Sequence, residues 1–265
     1  TVIGAIDTKS SESIQQMYSF LNLPFEITDI RTAEMLKYTC NAFHALKVGF
    51  ANEIGSLCKA VSIDSHRVMD MFCKDQKLNI SPAYLKPGFA FGGSCLPKDL
   101  RAMNYLAKHK DLQTPLLNSI MESNRIHINR TFNSILRKGK KKIGILGLSF
   151  KAGTDDLRES PLVILTENLI GKGFDIRIYD RNVSLSGLFG ANKEYIEKEI
   201  PHVSTLLLDN MSDVLDHGEV IVIGNRSEEY RAALNGKIAQ KQVIDLVKLG
   251  NELNTATLNY DGICW

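Results

Sequence analysis

The spacing of apolar positions changes character along the chain, and each change marks an element. Thr1-Val2-Ile3-Gly4-Ala5-Ile6 is a short apolar run that reads as a buried strand, Ser10 to Asn22 reads as a helix, and Phe25 to Ile30 alternates as a half-buried strand does. From Thr32 to about Val61 there is no proline and apolar residues recur at helical spacing, so the pattern predicts one long helix with Thr32 as its N-cap. At ~1.5 Å per residue that helix runs about 42 Å, the length of a spine between domains or subunits. A shorter helix is expected over Asp64 to Phe72. Pro82, Pro87, Pro97, Gly88, Gly92 and Gly93 then fall among Tyr84, Phe89 and Phe91, which predicts a long irregular loop from Leu78 to Lys98 with enough aromatic surface to be ordered. Helices follow from Pro97 to about Lys108 and from Pro115 to Arg137, the second with Thr114 as N-cap, Pro115 at its first position and Gly139 as its stop.

At Lys140 the pattern turns to strands alternating with helices. Strands are expected at Lys142 to Leu148, Phe174 to Tyr179, Val220 to Ile223 and Gln242 to Val247, with helices at Pro161 to Ile170, at Met211 to Leu215 and between the last two strands. That alternation predicts an α/β protein whose all-helical middle is followed by a doubly wound parallel sheet. The expected division is residues 1–30, a βαβ remnant whose partner strands lie upstream; 31–138, a helical domain; and 139–265, a Rossmann-like domain. The start without an initiator Met agrees with a fragment.

Composition adds exclusions. At 265 residues, 44% hydrophobic and 23% charged, the chain is ordinary globular protein. A net charge of +2 is too balanced to name nucleic acid or an anionic membrane as the main partner. No run approaches the ~20 apolar residues that span a bilayer. Five cysteines, widely spaced with no CxxC pair and no histidine at zinc spacing, predict neither a disulfide framework nor a metal site, and point to a reducing, cytosolic compartment.

Three constellations carry chemistry. In Gly92-Gly93-Ser94-Cys95-Leu96-Pro97-Lys98-Asp99 a cysteine stands between a glycine pair and a helix opened by proline; helix amides and Lys98 favour a thiolate there. Asp99, four residues on, shares a helical face with Cys95 and is placed to activate water against a thioester. The alternative is an inert, half-buried cysteine. Lys37 and Asn41, at i and i+4, put an ammonium and an amide on one face, where they stabilise an oxyanion or simply face solvent. His44 and Asn52 lie further along the same helix. The loop from Ser149 to Ser160 follows the first strand of the sheet, so Lys151 and Arg158 are placed for phosphate. GxGxxG is absent, and Gly144-Ile145-Leu146-Gly147 lies within the strand, so no dinucleotide fingerprint is present.

Ala33-Glu34-Met35-Leu36-Lys37-Tyr38 with Asn41, the run Lys86-Pro87-Gly88-Phe89-Ala90-Phe91-Gly92-Gly93-Ser94-Cys95-Leu96-Pro97-Lys98-Asp99, and Gly147-Leu148-Ser149-Phe150-Lys151 through Arg158-Glu159-Ser160-Pro161 together resemble the nucleotide-sugar 6-dehydrogenases. The likeness covers essentially the whole chain and matches the C-terminal part of that family. Ala191 to Ile196 and Gly262-Ile263-Cys264-Trp265 are similar to its GDP-mannose branch. The resemblance implies a four-electron, NAD-dependent oxidation of GDP-mannose to GDP-mannuronate, as in alginate-type pathways, by a homodimer whose spine is the long helix. It implies that Cys95 forms a thiohemiacetal and then a thioester, that Lys37 and Asn41 stabilise the oxyanion and orient water, and that Asp99 assists hydrolysis. It assigns His44, Asn52, Asn79, Tyr84, Lys86, Phe89, Gly92, Phe150 and Lys151 to substrate, and Lys98 and Arg158 to NAD. The family's NAD domain, with further Glu and Thr catalytic partners, would lie upstream, so the chain alone is not expected to turn over. Ala83 and Lys86 stand where GDP-mannose enzymes tend to carry an aromatic and an arginine, which bears on affinity and base preference. A UDP-sugar 6-dehydrogenase and a non-catalytic nucleotide-sugar-binding dimerisation fragment are the alternative readings.

Overall fold

The computed structural model describes residues 1–21, 23–81, 84, 87–151, 153–183, 201–234, 241–249 and 259–264, without the side chains of 38, 41, 42, 44, 45, 48, 49, 204 and 234. The chain forms two compact units, Thr1–Phe72 and Cys73–Trp265. This division falls inside the stretch that the sequence pattern reads as one helical domain.

In the first unit β1 (Val2–Gly4) and β2 (Glu26–Thr28) pair in parallel, joined by α1 (Thr8–Met17) and a 3₁₀ turn at Ser19–Leu21. The long helix α2 (Ile30–Ala60) follows without a break. Its cap is Asp29, whose carboxylate accepts from the Thr32 amide at 3.0 Å and from the Thr32 hydroxyl at 2.6 Å. Thr32 is therefore inside the helix rather than at its cap, because the carboxylate three residues earlier satisfies the orphan amide first. α2 packs closely on β1, where a Cβ on Gly4 would stand 2.8 Å from Ala33 Cβ.

The second unit begins within α3 (Ser65–Lys74) and contains α4 (Leu96–His109) and α5 (Pro115–Arg137). Thr114 is the α5 cap residue, as the sequence predicts, yet its side chain makes no cap bond. The sheet comprises β3 (Lys142–Leu146), β4 (Asp175–Tyr179), β5 (Val220–Ile223), β6 (Gln242–Asp245) and β7 (Asn259–Gly262). Every pair is parallel and the spatial order is β4-β3-β5-β6-β7. β7 was not foreseen, since Asn259-Tyr260-Asp261-Gly262 carries none of the apolar run of a central strand; it lies at the sheet edge, where polar residues are tolerated. β5, all Val and Ile and fully buried, is the continuous apolar run that a strand covered on both faces requires.

Helices cover both faces. α6 (Pro161–Gly171) and the apolar stripe of α5, Ile128 and Ile135, close one core around Ile143, Ile145, Ile176 and Ile178. A short turn of helix, α7 (Pro201–Ser204), adds Val203 to it. α8 (Met211–His217) and α9 (Glu228–Leu234) bring Val214, Leu215 and Tyr230 to the other core, on Leu146, Ile221 and Val243. The strand order reverses at β3, so the open crevice lies at the carboxyl ends of β3 and β5.

That crevice is braced by Asp180. One oxygen of its carboxylate accepts from the amides of Leu148 and Ser149 at 2.7 and 3.0 Å, and the other from the amide of Asn182 at 3.0 Å. Asn225, after β5, donates to the carbonyl and hydroxyl of Ser149 at 3.2 and 3.0 Å. Replacing Asp180 by Ala strands two buried amides, and is expected to lower the stability of the second unit by about 3 kcal/mol in urea unfolding followed by circular dichroism.

Candidate active site around Cys95

Cys95 is the residue before α4, exposed and already in helical backbone conformation. The amide of Asp99 donates to the Cys95 carbonyl at 3.0 Å, so the four-residue spacing read from the sequence is one true helical turn. Pro97 sits in the first turn, where its missing N–H loses nothing. The Ser94 hydroxyl is 3.8 Å from the sulfur. Lys98 Nζ lies 3.6 Å from the Asp99 carboxylate, both well exposed, an arrangement that orients more than it stabilises.

Glycines lay this turn flat on the loop that follows β3. A Cβ on Gly92 would collide with the carbonyl oxygen of Glu159, and Gly93, at φ +85°, would drive one to within 2.7 Å of the Phe150 ring. Only a residue without a side chain permits that approach. From the other side α5 grips the preceding loop. Asn124 accepts from the Phe91 amide at 3.0 Å and donates to the Phe91 carbonyl at 2.8 Å, pairing with the backbone as a neighbouring strand would. His127, one turn on, bonds through Nε2 to the Gly88 carbonyl at 2.8 Å, its ring 6.3 Å from that of Phe89. Phe89 is half-buried against the sheet core.

The loop after β3 brings the remaining charges. Arg158 forms a fork with Asp156, at 2.8 and 2.7 Å. That fork holds the Asp156 carboxyl below the usual carboxylate range. In return Asp156, by its hydrogen bonds and then its charge, keeps the Arg158 proton more firmly bound. Glu159 is likewise held below its ordinary range by a fork to Arg101 of α4. Depressed carboxyls contribute fully above their unfolded values and are lost as pH falls through the lowered folded ones, so both clamps persist at neutral pH. Phe150 is half-buried under Gly93 and Lys151 is exposed, its carbonyl tied to Thr154.

Cys95, Lys98, Asp99, Phe89, Gly92, Phe150, Lys151 and Arg158 thus belong to one folded unit and, apart from Lys151, each is fixed by a contact or bond just described. Asn79 and Tyr84, in the same unit, are exposed, Tyr84 at φ +62°. Lys37, Asn41, His44 and Asn52 all fall on α2 in the other unit, with Lys37 and Asn52 exposed; the side chains of Asn41 and His44, and residues 83, 86 and 191–196, lie outside the described residues. Sequence reasoning missed Asn124, His127, Asp156, Arg101 and Glu159. The first two are bonded to backbone 33 and 39 residues away, and no local pattern marks such a pairing. Among the described residues no group of His, Cys, Asp and Glu could hold a metal, and no helix is long and apolar enough to cross a membrane.

The sequence matches the central domain of the UDP-glucose/GDP-mannose dehydrogenase family over residues 31–126 and that family's UDP binding domain over residues 144–251. The chain belongs to that family. It is 53% identical to GDP-mannose 6-dehydrogenase of Pseudomonas putida over its whole length, which is 60% of that relative. A crystal structure of a ternary complex of GDP-mannose dehydrogenase from Pseudomonas aeruginosa superposes with a TM-score of 0.94 at 49% identity, over the whole chain and 60% of that structure. A UDP-glucose dehydrogenase from Pyrobaculum islandicum is more distant, with a TM-score of 0.56 at 28% identity over the whole chain and 58% of that structure. The chain therefore spans about 60% of the length of these two GDP-mannose dehydrogenases.

Asn124→Ala removes both bonds to Phe91. Amides 88–93 are expected to exchange at least tenfold faster by hydrogen-exchange mass spectrometry, a local opening of about 1–3 kcal/mol, while the sheet amides keep their protection.

Proposed function

We propose that this chain supplies the nucleophile and much of the nucleotide-sugar site of an NAD-dependent enzyme that oxidises the C6 alcohol of GDP-mannose to the carboxylate of GDP-mannuronate. The observation that carries the reading is the docking of the turn that leads into Cys95 on the loop at the sheet's switch point, Gly92 against the Glu159 carbonyl and Gly93 against the Phe150 ring. The identity of about half with GDP-mannose 6-dehydrogenases over the whole chain supports GDP-mannose over UDP-glucose. Lys151 and Phe150 take the sugar nucleotide, a cation for phosphate and a ring edge for the sugar.

In the chemistry proposed, the alcohol first gives up a hydride and releases its hydroxyl proton to solvent, leaving the C6 aldehyde. The Cys95 thiolate adds to that carbonyl, forming the carbon–sulfur bond of a thiohemiacetal, and Lys37 with Asn41 stabilises the oxygen as its charge develops. A second hydride leaves this carbon, and the oxygen collapses to the thioester carbonyl. Water, oriented by Asn41 and deprotonated with the help of Asp99, displaces the thiolate and leaves the acid. Two NAD⁺ molecules bound in succession would each supply the acceptor for one hydride. The C-terminal sheet does not fit as the cofactor's cradle, because the strand-end amides of Leu148 and Ser149 are committed to Asp180. Lys98 and Arg158 do fit as side-chain contacts to a cofactor carried elsewhere, since both reach solvent. The long α2 serves as the spine of a homodimer, and the enzyme works in the cytosol.

The test is product formation by the full-length protein. The unsubstituted enzyme should form two NADH per GDP-mannose and release GDP-mannuronate, and Cys95→Ala should release none. Acid production at an unchanged rate by Cys95→Ala overturns the thioester route.

A further inference from the structure

Glu159 has a backbone that its residue type does not favour. Its φ of +50° is left-handed, where a residue with a Cβ is disfavoured by ~1 kcal/mol or more and glycine is not. Both neighbours are fixed. Arg158 is forked to Asp156, and Ser160 is buried, its hydroxyl donating to the Leu148 carbonyl at 2.7 Å and accepting from the Leu162 amide at 3.3 Å as the cap of α6. The carbonyl of Glu159 meets Gly92, two residues before Ser94-Cys95. Glycine at 159 would satisfy the backbone and its contact with Gly92, but it could not provide the side chain. That side chain makes a two-bond fork to Arg101, at 2.8 and 2.5 Å, in the second turn of the helix that Cys95 opens.

We propose that Glu159 is a positioning residue for Cys95: its fork to Arg101 ties the start of α4 to the strand-end loop, whose Glu159 carbonyl meets Gly92, and so holds the turn that carries the sulfur. The inference rests on the reading of Cys95 as nucleophile. A guanidinium fork is suited to the task because it fixes orientation as well as distance, which an ammonium does not. The charged groups around this corner are Lys98, Asp99 and Arg101 on α4, and Asp155, Asp156, Arg158 and Glu159 on the loop.

The experiment is the rate of iodoacetamide alkylation of Cys95 in this chain as a function of pH, resolved from the other cysteines by mass spectrometry, with melting temperature as the control for folding. Charge alone and position predict opposite results for Glu159→Gln. Removing an anion and leaving Arg101 uncompensated would speed alkylation. Loosening the clamp slows it about fivefold at neutral pH, which is the result expected. Arg101→Lys keeps every charge and loses the fork, so it should be slowed in the same sense. The exchange Arg101→Glu with Glu159→Arg should restore most of the rate. Alkylation of Glu159→Gln and Arg101→Lys at or above the unsubstituted rate overturns the inference while leaving Cys95 a nucleophile. If Cys95 in the unsubstituted chain reacts no faster than exposed Cys40, Cys73 and Cys264, it is the nucleophile reading itself that fails.

Discussion

The approach of the Gly92-Gly93 backbone to the loop after β3 sets the position of everything else in the second unit's site. Two atoms of contact decide it, the Glu159 carbonyl against Gly92 and the Phe150 ring against Gly93, and neither tolerates a Cβ. Because that loop leaves the switch point of a parallel sheet, the thiol of Cys95 is held where open α/β sheets bind ligands.

α5 makes the arrangement rigid by serving two parts of the structure at once. Ile128 and Ile135 belong to the core beneath the sheet, while Asn124 and His127, on the turn before, hold the backbone at Phe91 and Gly88. The Cys95 loop is thereby anchored to the most deeply buried part of the second unit. Asp180 plays the matching role on the sheet side, accepting from the amides with which a glycine-rich loop would hold a pyrophosphate. The same first turn that binds dinucleotides in other doubly wound sheets is here closed internally by Asp180.

Period and punctuation made the elements legible. The Pro-opened helices, the long uninterrupted α2, the fully apolar β5 and the loop at 149–160 all follow from spacing within a few residues, which is why the sheet and the Cys95–Asp99 turn could be anticipated. Asp29 took the cap assigned to Thr32 because its ionised carboxylate accepts from both the amide and the hydroxyl of Thr32, which starts the helix three residues earlier. β7 escaped notice because an edge strand needs little apolar content. The clamps at Asn124, His127 and Glu159 escaped for a different reason: each is a partnership between residues 33 to 58 apart, and it exists only once the chain has folded.

The central claim is that the thiol of Cys95 and the strand-end loop form one nucleotide-sugar site, and ligand protection of the thiol tests it most directly. Iodoacetamide alkylation of Cys95 in this chain should slow severalfold as GDP-mannose is added, with UDP-glucose less effective and the rates of Cys40, Cys73 and Cys264 unaltered. Alkylation of Cys95 that stays constant at saturating GDP-mannose, with calorimetry showing the ligand bound, would contradict the account.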